Sequence, residues 1–153
     1  MSFKIKQATI ENLDEIVQLF NEYRIFYKQD SDINGVKKFI FERFEHMESI
    51  IFIAIETESN NIIGFTQVYP SFSSVSMKRS LILNDLYVSE NYRKNGVGKL
   101  LLNAVKSYAI KINAKGIGLS TAIDNNTAQK LYENNGYKKN QDFYQYYLNL
   151  NME

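Results

Sequence analysis

The sequence contains no cysteine. That excludes disulfides, thiolate metal sites, iron–sulfur clusters and a cysteine nucleophile. Its one histidine, His46, rules out a histidine-rich metal site, and any Ser-His-Asp triad would have to use that residue. Charge of one sign is also lacking, since 18 basic and 17 acidic residues leave a formal net charge of +1. No global field draws the chain onto nucleic acid or an anionic membrane, although a local basic patch is still allowed. Long apolar runs are missing. The longest, Ile50 to Ile55, has six residues, whereas a membrane helix needs roughly 20. The stretch from Met1 to Lys6 has no apolar core of the kind a secretion signal carries. Together these absences predict a cytoplasmic protein that has neither nucleic acid nor membrane as a partner. Asn125-Asn126-Thr127 matches a glycosylation sequon, which carries no meaning without secretion. At 153 residues the chain is expected to form one domain, 1–153, long enough to bury a real core.

Phe3 to Ala8 alternates apolar and polar residues, as a half-buried strand does. From Glu11 to Tyr27, Leu13, Ile16, Val17, Phe20, Tyr23 and Tyr27 recur at spacings that place one apolar stripe on a helix. Asp30 to Gly35 reads as a loop. Val36, Phe39, Ile40, Arg43 and Met47 suggest a second helix, with Phe41 and Phe44 broadening its face. Ile50 to Glu56 and Ile62 to Tyr69 read as a hairpin around Ser59-Asn60-Asn61. The serine-rich stretch Pro70 to Met77 holds the only proline and reads as a loop. Arg79 to Val88 predicts a strand and Ser89 to Asn95 a turn. A helix follows Gly96, with Val97, Leu101, Ala104, Val105, Tyr108 and Ile112 on its buried side. Gly116 to Ile123 reads as a short strand. Asp124 or Asn125 caps a helix that stops at Gly136. Tyr137 and Phe143 to Leu150 read as closing strands. The expected class is α/β (α+β), a mixed, mostly antiparallel sheet of six or seven strands with helices on both faces. One parallel β-α-β crossover is expected near residues 80–122.

The most informative stretch runs from Leu83 through Asn84, Asp85, Leu86, Tyr87 and Val88 into Arg93-Lys94-Asn95-Gly96-Val97-Gly98-Lys99. A strand enters a glycine turn, and the turn opens a helix. Backbone N–H groups in such a turn, with the positive end of the helix dipole, make an anion site. Arg93, Lys94 and Lys99 add charge of the right sign, so the chemistry points to phosphate or pyrophosphate. A P-loop needs Gly-x-x-x-x-Gly-Lys-Ser/Thr, but Arg93 stands at its first glycine and Leu100 follows Lys99. A dinucleotide fingerprint needs a third glycine where Leu101 stands, and it belongs near the start of an alternating fold. The remaining pattern, Arg/Gln-x-x-Gly-x-Gly/Ala, is met by Arg93 to Gly98. This turn resembles the acyl-CoA loop of the GCN5-related N-acetyltransferase (GNAT) superfamily. A second motif agrees. Asn125, Ala128, Leu131, Tyr132, Gly136 and Tyr137 match the superfamily's Asn-x-x-Ala-x-x-Leu-Tyr-x-x-x-Gly-Phe/Tyr, one helix and one strand further on. Asn84 to Val88, with Tyr23, Phe26 and Tyr27, look like the histone/polyamine and diamine acetyltransferase branch.

The resemblance implies acetyl transfer from acetyl-CoA to an amine, releasing CoA. It implies that the backbone of Leu86, Tyr87 and Val88 pairs with the pantetheine arm, and that an N–H near Val88 polarises the thioester carbonyl. Lys94, Asn95, Gly96, Val97, Gly98 and Lys99 would wrap the pyrophosphate beside Arg93, and Asn125 would bond the pantetheine arm. Without cysteine there is no acetyl-cysteine intermediate, so the amine would attack directly in a ternary complex. An alkylamine of pKa about 10.4 is about 99.9% protonated near pH 7.4, which costs about 4 kcal/mol in available nucleophile. A base or a desolvating site is therefore needed. Tyr132 is the candidate acid for the departing thiolate, because a phenol of pKa about 10 can protonate it.

Related diamine acetyltransferases often carry Glu-Asp where this chain has Asn84-Asp85. Asn84 cannot be a base. Asp85 is the candidate base, directly or through water, with a structural hydrogen-bond role as the alternative. Strand alternation puts Asn84 and Asp85 on opposite faces unless a bulge intervenes. Tyr23, Tyr27 and Asn84 are candidates for the acceptor side, along with Glu22, Asp30, Asp32 and a wall from Pro70 to Ser76. His46 reads as an exposed helix residue. Tyr144, Tyr146 and Tyr147 would line the cleft or an interface. The expected partner is a small-molecule amine, with a protein amine or a non-catalytic acyl-CoA sensor as alternatives. A homodimer is an analogy with the family, and no metal is expected.

Overall fold

The computed structural model describes residues 1–151. It divides into two compact units, Met1–Ser120 and Thr121–Glu153. In the first, strand β1 (Phe3–Gln7) leads to Thr9, which caps a short 3-10 turn in a reciprocal box with Asn12. Helix α1 follows (Leu13–Phe26). Helix α2 (Ile33–Glu45) begins three residues before the expected Val36, because the Asp32 side chain accepts from Gly35 N–H and caps it. Strands β2 (Ile50–Glu56), β3 (Ile62–Ser73) and β4 (Lys78–Val88) are antiparallel neighbours, and β1 pairs with β2. Helix α3 (Val97–Lys111) then crosses over to β5 (Ile117–Gly118), which pairs parallel to β4. The sheet order is β1-β2-β3-β4-β5.

Alternation along β2 assigns the helices to faces. Ile51, Ile53 and Ile55 join Ile16, Val17, Phe20, Val36, Ile40 and Phe65 in one buried cluster, so α1 and α2 cover that side. Phe52 meets Tyr108 of α3 at 5.9 Å between ring centroids, so α3 covers the other. At Gly64 a Cβ would come within 3.1 Å of the Tyr87 carbonyl oxygen and 3.5 Å of Val97 Cγ1, which is why the sheet has no side chain where α3 begins. Of the stripe expected on α3, Val97, Leu101 and Val105 are fully buried, and Leu102 and Ala109 complete it. Phe65 is completely buried, and truncating such a residue to alanine costs about 3–5 kcal/mol.

Three expectations need correction. Pro70 lies in β3, paired with Leu81, and not in a loop. The last β2–β3 pair is Ile50 with Val68, so beyond it one edge of β3 has no strand partner among the described residues, and a missing N–H costs little there. β5 is two residues long instead of eight, since Gly116 and Gly118 flank its single apolar residue and weaken pairing. Among the described residues no strand forms at Tyr137 or from Phe143 to Leu150, so the sheet has five strands and not six or seven. Tyr144, Tyr146 and Tyr147 are all at least 90% exposed. Their β-propensity suggested a strand, but propensity makes no ladder without a partner.

The second unit holds α4 (Asn126–Asn134). The Asn125 side chain accepts from Ala128 N–H at 3.2 Å and starts the helix. Gly136, at φ +94°, stops it and donates its N–H to the Glu133 carbonyl. No helix among the described residues is long and apolar enough to cross a membrane.

Candidate active site

β4 is the backbone of the site. It pairs with β5 only at Leu81 and Ile82, whereas its pairing with β3 continues to Val88. From Leu83 to Val88, including Leu86, Tyr87 and Val88, the β5 side of β4 therefore has no strand partner among the described residues. Backbone N–H and C=O groups along such an edge can receive an extended ligand as if it were an added strand.

The edge runs straight into the glycine turn. After a short 3-10 segment, Glu90–Tyr92, the chain takes positive φ at Lys94 (64°) and again at Gly96 (80°). The second bend leaves Gly96 as the N-cap of α3, with no side chain to cap it. The first-turn N–H groups of Val97, Gly98 and Lys99 are thus left for an anion, in the field of the helix dipole. Lys94 and Lys99 are exposed beside them. Asn95 is exposed and folds back onto the turn. Its Nδ2 donates to the carbonyls of Tyr92 (3.2 Å) and Arg93 (3.1 Å), so it shapes the turn. Arg93 also turns back, with Nε donating to the Val88 carbonyl at 2.8 Å.

A buried carboxylate lies upstream on the same strand. Gln67 pairs with Asp85 and Val68 with Leu83, so Asn84 is the extra residue of a β-bulge. Asp85 is only 6% exposed. Tyr23 Oη donates to its Oδ1 at 2.9 Å and Gln67 Nε2 to its Oδ2 at 2.8 Å. Asn84 Nδ2 lies 3.2 Å from both oxygens. Three donors from α1, β3 and β4 therefore hold one carboxylate in place.

Two members of this group, Gln67 and Tyr69, were not singled out in the sequence. The available signal was Gln67 within an apolar strand, two residues from Tyr69 and so on the same face. Gln67 Nε2 also reaches Tyr69 Oη at 3.3 Å, and its buried Oε1 has no hydrogen-bond partner among the described residues. Burial, and then the Asp85 charge, push the Tyr69 phenol up to about 12, against the opposing pull of Arg43. Burial first, then Glu22, also raises the Tyr87 phenol, with Arg93 opposing.

The expected acceptor-side residues separate into two kinds. Tyr23 is engaged with Asp85, its ring packed on Phe20 (5.5 Å), Phe65 (5.6 Å) and Tyr87 (5.7 Å). Tyr27 packs roughly at right angles to Tyr23 and Phe26, each at 5.2 Å between centroids, and remains 51% exposed. Asp32 is occupied as a helix cap, and His46 is exposed at the end of α2. In the second unit Tyr132 is half-buried and packs edge-on against Tyr137 at 5.8 Å. Burial raises the Tyr137 phenol. Asn125 uses its side-chain oxygen on Ala128, which leaves its Nδ2 to donate.

An open strand edge running into a glycine turn and an uncapped helix start is built to receive a long ligand with a phosphate end. Sequence comparison gives the class: the pattern of the Acetyltransferase (GNAT) family matches residues 13–137. The chain belongs to this family and is an acetyltransferase. It is 48% identical over 146 residues to YhfO, an uncharacterized N-acetyltransferase of Bacillus subtilis, covering 95% of this chain and 97% of that one. It is 33% identical over 92 residues to the D-amino-acid N-acetyltransferase HPA3 of Saccharomyces cerevisiae, covering 60% and 57% of the two chains. A crystal structure described as a probable acetyltransferase superposes with a TM-score of 0.94 at 42% identity, covering 98% of this chain and 99% of that one.

Proposed function

We propose that the protein moves an acetyl group from acetyl-CoA directly to the primary amine of a small molecule, within a ternary complex. The observation that carries this reading is the open edge of β4 from Leu83 to Val88, continuous with the glycine turn and the start of α3. Acetyl-CoA supplies the activated acetyl group. Leu86, Tyr87 and Val88 align its pantetheine arm by backbone pairing; for Asn125 the family resemblance implies a hydrogen bond to that arm. The turn from Lys94 to Lys99 receives the pyrophosphate. An N–H near Val88 stabilises the negative charge that grows on the carbonyl oxygen. The amine nitrogen bonds to the carbonyl carbon, the carbon–sulfur bond breaks, and the departing thiolate takes up a proton, for which the family resemblance offers Tyr132 as the acid.

Asp85 takes the amine's proton through water, because its oxygens are covered by Tyr23, Gln67 and Asn84. The acceptor side is formed by Asn84, exposed on the bulge, and Tyr27, whose half-exposed aromatic ring suits a cation. HPA3, a D-amino-acid N-acetyltransferase by name, supports a small amine as acceptor. The setting in this reading is cytoplasmic, and sedimentation tests the homodimer that the family suggests by analogy.

The test is turnover with acetyl-CoA over a panel of diamines, amino acids and a peptide with a free N-terminus, with mass detection of acetylated product. Acetylation of a small amine with intersecting double-reciprocal plots supports the reading. Parallel plots would contradict direct transfer, and turnover of the peptide alone would move the acceptor to proteins.

A further inference from the structure

The Arg93 side chain is engaged within the protein on three sides. Its Nε donates to the Val88 carbonyl, five residues back, at 2.8 Å. Its guanidinium carbon lies 5.0 Å from the Phe26 ring centroid and 5.4 Å from that of Tyr87. The two rings are themselves 6.1 Å apart and inclined at 55°, so they form a cleft that the guanidinium faces. Both distances are within the range of cation–π attraction. Phe26 is the last residue of α1, and Glu22 lies one helical turn earlier on the same face. Glu22 accepts a long hydrogen bond from Ser89 at 3.5 Å, at the beginning of the same turn. Between these two residues, Tyr23 of α1 holds Asp85. One helix end therefore touches the cofactor turn at two points and the buried carboxylate at a third.

We infer that Arg93 is a positioning residue for the cofactor turn: its side chain clamps the turn onto Phe26 and Tyr87 instead of neutralising phosphate, and α1 serves as the anvil. The inference rests on the proposed acetyl-CoA site for its ligand, but the clamp itself belongs to the free protein. Phosphate charge then falls to Lys94, Lys99 and the backbone N–H groups. Lysine cannot replace arginine in a clamp, because an ammonium has neither the planar face nor the Nε–H that reaches Val88. In a pure charge role it could.

The experiment compares Phe26→Ala, Phe26→Leu, Arg93→Lys, Arg93→Gln and the double variant Phe26→Ala/Arg93→Lys with the parent. Phe26 is 55% exposed, so its loss leaves the core intact, and leucine keeps the bulk without the ring. The first readout is hydrogen exchange in the ligand-free protein at the amides of Tyr92 and Arg93. These are bonded to the carbonyls of Ser89 (2.9 Å) and Glu90 (3.3 Å). The second is calorimetric CoA affinity at several salt concentrations. The clamp predicts that each single variant speeds exchange and weakens CoA about two- to fivefold or more. The double variant should be no worse than Arg93→Lys alone, and the salt slope should not change with Arg93→Gln.

Unchanged exchange in both Phe26 variants would overturn the clamp. So would wild-type CoA affinity in Arg93→Lys together with a reduced salt slope in Arg93→Gln, which marks a phosphate ligand. If the parent protein binds no CoA, the proposed function fails, while the ligand-free exchange still decides the clamp.

Discussion

Replacing Tyr23 with phenylalanine removes one oxygen and leaves its ring contacts with Phe20, Phe65, Tyr27 and Tyr87 in place. What is lost is the 2.9 Å bond to Asp85 Oδ1, in a carboxylate only 6% exposed. A hydrogen bond to a charged group contributes about 1.5–3 kcal/mol, and a buried carboxylate deprived of a donor bears the desolvation cost. Asn84 Nδ2 still reaches Oδ1 at 3.2 Å, which places the loss near the lower end of that range. For a chain of this size, about 1.5–2 kcal/mol corresponds to a Tm lower by roughly 3–8 °C. Thermal and urea unfolding followed by circular dichroism read it, with an unchanged urea slope expected because no buried area is altered. Turnover should fall in the same variant, because Asp85 is then less well fixed. A Tm within a degree of the parent, with full activity, would refute the claim that Tyr23 holds Asp85.

Other perturbations test other parts of the account. Tyr132→Phe should lower kcat by about 10²–10⁴-fold while leaving acetyl-CoA affinity near that of the parent; unchanged turnover removes the acid role. Gly96→Val should weaken CoA binding and cost about 1–3 kcal/mol of stability in urea unfolding. Its origin is backbone strain at φ +80°, since among the described residues nothing beyond the adjoining chain lies within 4 Å of the added Cβ. Tyr69 makes stability fall in alkali. The unfolded phenol loses its proton near 10 and the folded one near 12, so the unfolded chain binds fewer protons in between. Stability is intact below pH 10 and declines towards 12, by less than the roughly 2.7 kcal/mol that two pKa units represent, because solvent screens a half-exposed phenol. Tyr69→Phe should flatten that part of the pH profile of unfolding.

Much of this arrangement was legible because local chemistry decides it. Ile50–Glu56 emerged at both ends, since an apolar run bounded by polar residues has one way to be buried. Asp124 or Asn125, and Gly136, marked the ends of α4 because a helix terminus lacks an acceptor at its start and a left-handed bend at its end; Asn125 is the residue that caps it. The glycine turn was visible for the same reason. Pro70 misled because a proline argues against a strand, and only the end of β2 pairing at Val68 reveals that this stretch of β3 is an edge. Phe143 to Leu150 misled in the opposite sense, because alternation and aromatic content describe a willing strand without supplying a neighbour. The bulge at Asn84 was legible only as an alternative, since a bulge is a matter of register between two strands. Gln67 and Tyr69 stayed hidden because their relation to Asp85 spans 18 residues or comes from burial. The direction of the Arg93 side chain was beyond a motif that fixes position alone.

The central claim is that the β4 edge and the glycine turn hold acetyl-CoA. The most direct measurement is thermal unfolding of the protein alone and with acetyl-CoA, CoA, ATP or NADH. Ligand at 100 times Kd adds about 2.7 kcal/mol, which for a chain of this size is roughly 5–11 °C in Tm. The account predicts such a rise with acetyl-CoA and with CoA, and none with ATP or NADH. No rise with either CoA species at saturating concentration would contradict it.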